Sequence, residues 1–115
     1  MEIRQRHLGS KICLDLHGRL ISVDEDSVLK DKVNSLLFQG HRTILLNLEG
    51  VSHIDTSGLS ALIAIRHAAD RSGSSVKLLN LPSRVHSLLV VTRLITLFDV
   101  FDSEADALKI QSLEA

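Results

Sequence analysis

The sequence predicts a single α/β domain over residues 1–115: a mixed, mainly parallel five-stranded sheet with four helices, in the order ββαβαβαβα. Three observations carry that prediction. Two short strand-like segments meet at Leu8-Gly9-Ser10, the pattern of an opening hairpin. Near-continuous apolar runs follow, Thr43 to Leu48 foremost, as expected of strands covered on both faces. Between them lie amphipathic stretches at helical spacing, so each later strand-helix-strand step is expected to be a right-handed parallel crossover.

Glu2 to Arg6 and Lys11 to His17 supply the hairpin strands. In the second, Ile12, Leu14 and Leu16 alternate with Cys13, Asp15 and His17, the period of a half-buried strand. Cys13 is therefore expected on the face opposite the Ile12 row, as a small packed residue, since nothing nearby in sequence would activate a thiol. Gly18-Arg19-Leu20-Ile21 ends that strand, and Asp24-Glu25-Asp26-Ser27 offers N-cap candidates for the first helix. Val28, Leu29, Val33, Leu36 and Leu37 are its expected apolar stripe, with Gly40 as its stop. After the strand Thr43 to Leu48 comes a short polar loop, and then a helical pattern from Gly58 to Ser72. Val76 to Leu81 reads as a strand, Pro82 opens a helix from Ser83 to Thr92, and Leu97 to Phe101 is the last strand. Ser103-Glu104-Ala105-Asp106 starts a final helix, with Asp106 in the place a capping box gives to Glu or Gln.

Composition excludes several classes of function. A net charge of −1 over 115 residues leaves no basic footprint for nucleic acid. Tyr and Trp are absent and Phe occurs three times, so there is no stacking platform for single strands. No apolar run approaches the roughly 20 residues that cross a bilayer, and residues 1–6 lack the apolar stretch of a signal peptide. With one cysteine, no disulfide framework is possible within the chain, and the expected compartment is the cytoplasm.

Catalytic and metal motifs are missing as well. The histidines at 7, 17, 41, 53, 67 and 86 form no i, i+4 pair and have no cysteine pair beside them, so no metal site is expected. His53 reads as a solvated loop residue rather than a base. Around Ser57 the nucleophile-elbow glycines are replaced by Asp55 and Leu59, and the six glycines never cluster into a phosphate loop. An aspartyl-phosphate receiver would need an acid pair at the end of a parallel strand, which the opening hairpin does not offer. No catalytic residue and no cofactor is assigned.

What remains is Asp55-Thr56-Ser57-Gly58, where a strand passes into an apolar helix. Helix N-termini favour negative charge, and a phosphate placed there adds about −1.5 to −2 charge and three acceptor oxygens. Asp, Thr and Ser are all good N-caps, so the residues alone support two readings: helix capping and a phosphorylatable switch. Three cap-type residues exceed what one helix end needs, and Gly58 suggests close backbone approach.

Asn47-Leu48, Val51, Ile54-Asp55-Thr56-Ser57-Gly58-Leu59 and Leu62 together resemble the signature of STAS domains, the family of the bacterial anti-sigma factor antagonists. The resemblance spans nearly the whole chain, including the hairpin, Leu16-His17-Gly18-Arg19-Leu20 and the βα order. It implies a non-enzymatic partner switch. The unmodified protein binds an anti-sigma factor that is also a serine kinase, phosphorylation releases it, and a protein phosphatase resets it. The family's acceptor hydroxyl follows the motif's Asp, which is Thr56 here, with Ser57 next to it. Many antagonists carry Asp where Ile21 stands, and Asp24, Glu25 or Asp26 can supply charge nearby. The partner-binding set implied is Ile21, Asp24, Asp55, Thr56, Ser57, Gly58, Leu59 and Arg66, on a monomer or weak dimer that binds neither nucleic acid nor membrane. Other STAS branches carry similar loops as stressosome scaffolds, sensory relays or lipid-transport subunits, which gives the alternative of an interaction subunit that is never phosphorylated.

Overall fold

The computed structural model describes residues 1–21 and 23–108, the side chains of 23–25 excepted. The strands are β1 (Glu2–Leu8), β2 (Lys11–Leu20), β3 (Thr43–Ile54), β4 (Ser75–Leu79) and β5 (Asp99–Phe101). The helices are α1 (Val23–Phe38), α2 (Thr56–Arg71) and α3 (Ser83–Val91), with a 3-10 turn at Leu94–Leu97 and a final helical stretch over 104–108. Strand order in the sheet is the chain order, β1-β2-β3-β4-β5. The β1–β2 pair is antiparallel and the other three are parallel.

Because each crossover adds the next strand on the same side of the last, crossovers of one hand place all their helices on one face. That face holds the main core: Leu29, Val33 and Leu36 of α1, Leu62 and Ile65 of α2, and Val85 and Leu89 of α3 pack on Ile12, Leu14, Leu16, Ile44, Leu46 and Leu78. Each buried Leu or Ile contributes about 1.5–3 kcal/mol by leaving water. The other face carries Cys13, Leu45 and Leu79, covered by Ala107 of the last helix. Cys13 thus lies opposite the Ile12 row, fully buried, and burial pushes its thiol up to about 12. It is a packed side chain.

Four elements depart from the sequence expectation. α1 begins at Val23, so Asp24 to Ser27 lie inside its first turns, past the N-cap position. The inward stripe of α1 is 26, 29, 33, 36 and 37: Val28 is 53% exposed, whereas Asp26 is buried at 4%. The periodicity is helical either way, and the phase is what a single apolar residue at 28 misreports. α2 starts at Thr56, two residues before Gly58. Leu97 belongs to the 3-10 turn, which shortens the last strand to Asp99–Phe101. Gly40 does stop α1, with φ +94 and its N–H on the Leu37 carbonyl. Ser103 Oγ accepts from Asp106 N at 3.1 Å, the expected start of the last helix.

The largest departure positions the site. The polar stretch after Leu48 is not a loop but the second half of β3, which pairs with β2 as far as Leu20↔Ile54. β4 accompanies β3 only to Asn47, so the rest of β3 and the end of β2 continue as a two-strand ribbon. Register shifts between Asp15 and His17 and between Gly18 and Arg19 mark bulges along that ribbon. At the first bulge the Asn47 side-chain oxygen accepts from Glu49 N at 3.1 Å. A Cβ on Gly50 there would collide with the His17 ring and come within 2.6 Å of the Leu16 carbonyl oxygen. Polar residues with a glycine read as loop; here they are the chemistry of a bulged strand.

Candidate functional site at the start of the second crossover helix

The ribbon ends where β3 turns into α2. Asp55 is the N-cap, extended at φ −129° and ψ −166°. Its Oδ1 accepts from Ser57 N at 3.0 Å, Gly58 N at 3.3 Å and Ser57 Oγ at 2.8 Å. The Ser57 hydroxyl above all, with the Gly58 and Ser57 N–H groups, holds the Asp55 carboxyl below the usual carboxylate range. The loop is tied to the neighbouring strand by Asp55 N donating to the Leu20 carbonyl at 3.3 Å. Gly58 completes that seam. A Cβ on it would collide with the Leu20 carbonyl oxygen and lie 2.7 Å from Ile54 Cγ1 and 2.9 Å from Leu20 Cβ.

This geometry divides the two hydroxyls. Ser57 is half-buried and spends its Oγ on Asp55. Thr56 is exposed, and its hydroxyl forms no hydrogen bond among the described residues. The excess of cap-type residues in the sequence resolves accordingly: Asp55 caps, Ser57 braces the cap, and Thr56 does neither.

Not every residue of the expected interface reaches the surface here. Ile21 is 37% exposed and follows Leu20, which places it beside the loop. The Asp24 side chain lies outside the described residues. Leu59 is only 4% exposed and packs in the main core, so it cannot offer its side chain to a partner; the first inward turn of α2 requires it inside. Gly58 is buried for the same reason.

Arg66 is also displaced from the site. Ten residues along α2 from Thr56, it lies about 15 Å away along the helix axis. Its Nη1 donates to the Leu97 carbonyl and its Nε is 3.7 Å from Asp70. It lines a cleft of about 260 Å³ with Asp70, Ser74, Ser75 and Asp99, at the end of the sheet where β4 and β5 begin. Asp26 is buried, so it is no surface charge for the loop, and its Oδ1 has no hydrogen-bond partner among the described residues.

His53 is exposed near the end of β3, with Nδ1 3.0 Å from Ser52 Oγ. No group of three or more His, Cys, Asp or Glu side chains among the described residues is placed to hold a metal ion. No helix among them is long and apolar enough to cross a membrane. Sequence reasoning missed the burial of Asp26, although the spacing 26, 29, 33, 36 was present to find it.

The family model for the STAS domain matches residues 2–107. No curated protein matches the chain by sequence. Among solved structures, the fold is similar to the Bacillus cell fate determinant SpoIIAA in its phosphorylated form, with TM-score 0.72 and 19% identity over 94% of this chain and 97% of that one. A putative anti-sigma factor antagonist from Thermotoga maritima, tm1081, superposes with TM-score 0.83 at 20% identity, covering 93% of this chain and 92% of that one. The murine anion transporter Slc26a9 contains a similar unit: TM-score 0.75 and 20% identity over 94% of this chain, but 18% of the transporter.

Proposed function

The chain belongs to the STAS domain family, and from that premise we propose that it is an anti-sigma factor antagonist working as a phosphorylation-controlled partner switch. Unmodified, it binds a cytoplasmic anti-sigma factor with serine kinase activity; phosphorylated at Thr56, it is released, and a protein phosphatase restores it. It acts by binding and catalyses nothing itself. The observation that carries the reading is the exposed, unengaged Thr56 hydroxyl on the first turn of α2, beside a Ser57 hydroxyl already bonded to Asp55. Likeness to SpoIIAA in its phosphorylated form supports the same reading.

Electrostatics favours Thr56 over Ser57. Phosphate on Ser57 would break the 2.8 Å bond to Asp55 and set a dianion against a carboxylate that stays ionised at neutral pH. Phosphate on Thr56 leaves the cap intact. In a docked interface that dianion is desolvated and unpaired unless the partner supplies cations, so charge alone reverses binding without a change of fold. Moving an equilibrium from 1:99 to 99:1 takes about 5.5 kcal/mol, within reach of an unpaired buried dianion. Around the acceptor, Ile21, Asp55 and Ser57 form the contact rim, with Asp24 beside them in the chain. Ile21 gives that rim an apolar contact where many antagonists carry an acid.

Intact mass after incubation with a partner kinase and Mg-ATP tests the assignment. The wild type and Ser57→Ala should each gain one phosphoryl group, and Thr56→Ala none. In binding assays with the same kinase, Thr56→Glu should weaken the complex about tenfold or more, a cost of at least ~1.4 kcal/mol, while Thr56→Ala preserves it. If neither hydroxyl is modified and the two Thr56 variants bind alike, the switch is wrong. The second reading then stands: an unphosphorylated STAS subunit of a larger stressosome-like, sensory or lipid-transport assembly. The similar unit within the Slc26a9 transporter is the observation that supports this second reading.

A further inference from the structure

α3 and the turn after it leave an apolar strip open to solvent. Val91 is 79% exposed, Val90 47% and Leu97 38%, which is three of the six exposed large apolar side chains among the described residues, gathered in one segment. Along α3, Arg84, Ser87, Leu88 and Val91 follow the i, i+3, i+4, i+7 spacing of a single stripe, and with Ser83 they line a shallow hollow of about 470 Å³. The inward side of the helix is satisfied by Val85 and Leu89 in the core, and half-buried Leu88 packs against that core by one side, so of the stripe's apolar residues the fold leaves Val91 most open.

Charge identifies what would cover it. Residues 82–98 contain no Asp or Glu, in a chain that has 14 of them, yet they include Arg84, His86 and Arg93. Neither arginine forms an ion pair among the described residues. Arg84 sits near the N-terminal end of the stripe and Arg93 just past its C-terminal end, about 14 Å apart if measured as helix. An apolar stripe bracketed by unpaired cations matches an amphipathic helix with acids at both ends of its apolar face. The strip is too short, and too poor in large aromatic or aliphatic side chains, to anchor in a bilayer interface.

We propose that the α3 stripe Arg84–Leu88–Val91, with Arg93, is a docking surface for an acidic amphipathic helix of a partner protein. The partner's apolar residues rest on Leu88 and Val91, and its carboxylates, about two helical turns apart on that same face, reach Arg84 and Arg93. This surface shares no residue with the acceptor loop and would operate whichever hydroxyl is modified.

Two synthetic helical peptides of about sixteen residues, long enough to fold on contact, serve as probes. Both carry Leu at i, i+3, i+4 and i+7; one has Glu at its charged positions and the other Lys. Titrated into the full-length ¹⁵N-labelled chain, the Glu peptide should shift the amides of Arg84, Ser87, Leu88, Val91 and Arg93, and bind about tenfold tighter than the Lys peptide. Arg84→Glu should reverse that preference. Val91→Glu, at an exposed position, should weaken the Glu peptide about tenfold with an unchanged thermal melt. Equal binding of the two peptides, no binding of the Glu peptide, or shifts elsewhere would overturn the proposal. Binding to phosphatidylglycerol-containing vesicles that Val91→Glu abolishes would reassign the face to a lipid surface. Self-association abolished by that same variant would reassign it to a second copy of this chain.

Discussion

Asp26 places a carboxylate where α1 has room for an apolar side chain. It is the first residue of the inward stripe, 4% exposed, with Oδ1 unsatisfied among the described residues. A buried acceptor without a donor costs about 1–3 kcal/mol. Its favourable interaction with the N-terminal end of α1 returns only about 0.3–1 kcal/mol. The penalty outweighs the dipole, so Asp26→Ala should stabilise the fold by about 1 kcal/mol, read as a higher urea midpoint at unchanged m. A lower midpoint would mean that the carboxylate is satisfied after all. The balance at Asp55 runs the other way, because that carboxylate is exposed and has three donors on one oxygen.

At the scale of elements, the start of α2 depends on how closely it approaches the end of β2. Gly58 allows that approach, with the Leu20 carbonyl and Ile54 Cγ1 occupying the space a Cβ would need. Backbone cannot give way as a flexible side chain can, so Gly58→Ala should destabilise by about 1–3 kcal/mol, the usual cost of forced overpacking. It should also move the Asp55 and Thr56 amide resonances, because Asp55 N is bonded to that same carbonyl. An unchanged melt together with unchanged loop resonances would show that the seam is loose. This contact also marks how far the sequence could be read. The order of elements, the face of Cys13, the Gly40 stop and the close approach at Gly58 were legible, because each follows from local spacing or from one residue's stereochemistry. The second half of β3 was not. Glu49-Gly50-Val51-Ser52-His53 has a loop's composition, and only pairing with β2, more than thirty residues earlier, makes it a strand. The division of labour between Thr56 and Ser57 was hidden for a related reason: it depends on which hydroxyl turns toward Asp55, and spacing does not report that.

Across the whole molecule, one polar network on the second face joins elements from both ends of the chain. Arg6 on β1 donates through Nε to Asp15 on β2 at 2.6 Å and through Nη2 to Glu104 on the last helix at 3.3 Å. Asp15 also accepts from Asn47 Nδ2 on β3 at 2.9 Å, and Asn80, just past β4, donates to Asn47 Oδ1 at 3.1 Å. The Arg6 guanidinium first, then the Asn47 amide, hold the Asp15 carboxyl below the usual carboxylate range. A carboxyl whose folded pKa is depressed adds stability above its unfolded pKa, near 3.9, and loses it as pH falls through the folded value. Acid should therefore unfold this protein progressively below about pH 4, loosening the last helix from the hairpin as it does so. The Asp15 side chain is 14% exposed and that of Arg6 36%. The pair thus sits between a buried and a surface bridge, and Arg6→Ala should cost about 1–2 kcal/mol at neutral pH. Asp15→Asn is the sharper test. It keeps the size and shape of the side chain, turns one acceptor into a donor and removes the titrating group, so whatever its stability at pH 7, its thermal melts from there down to about pH 3 should fall less steeply than the wild type's. Asp55 is depressed as well, but it is exposed and common to both proteins, so it cancels in the comparison. Identical slopes for the two proteins would place the acid sensitivity elsewhere and leave the Arg6 network as geometry without a measurable share in stability.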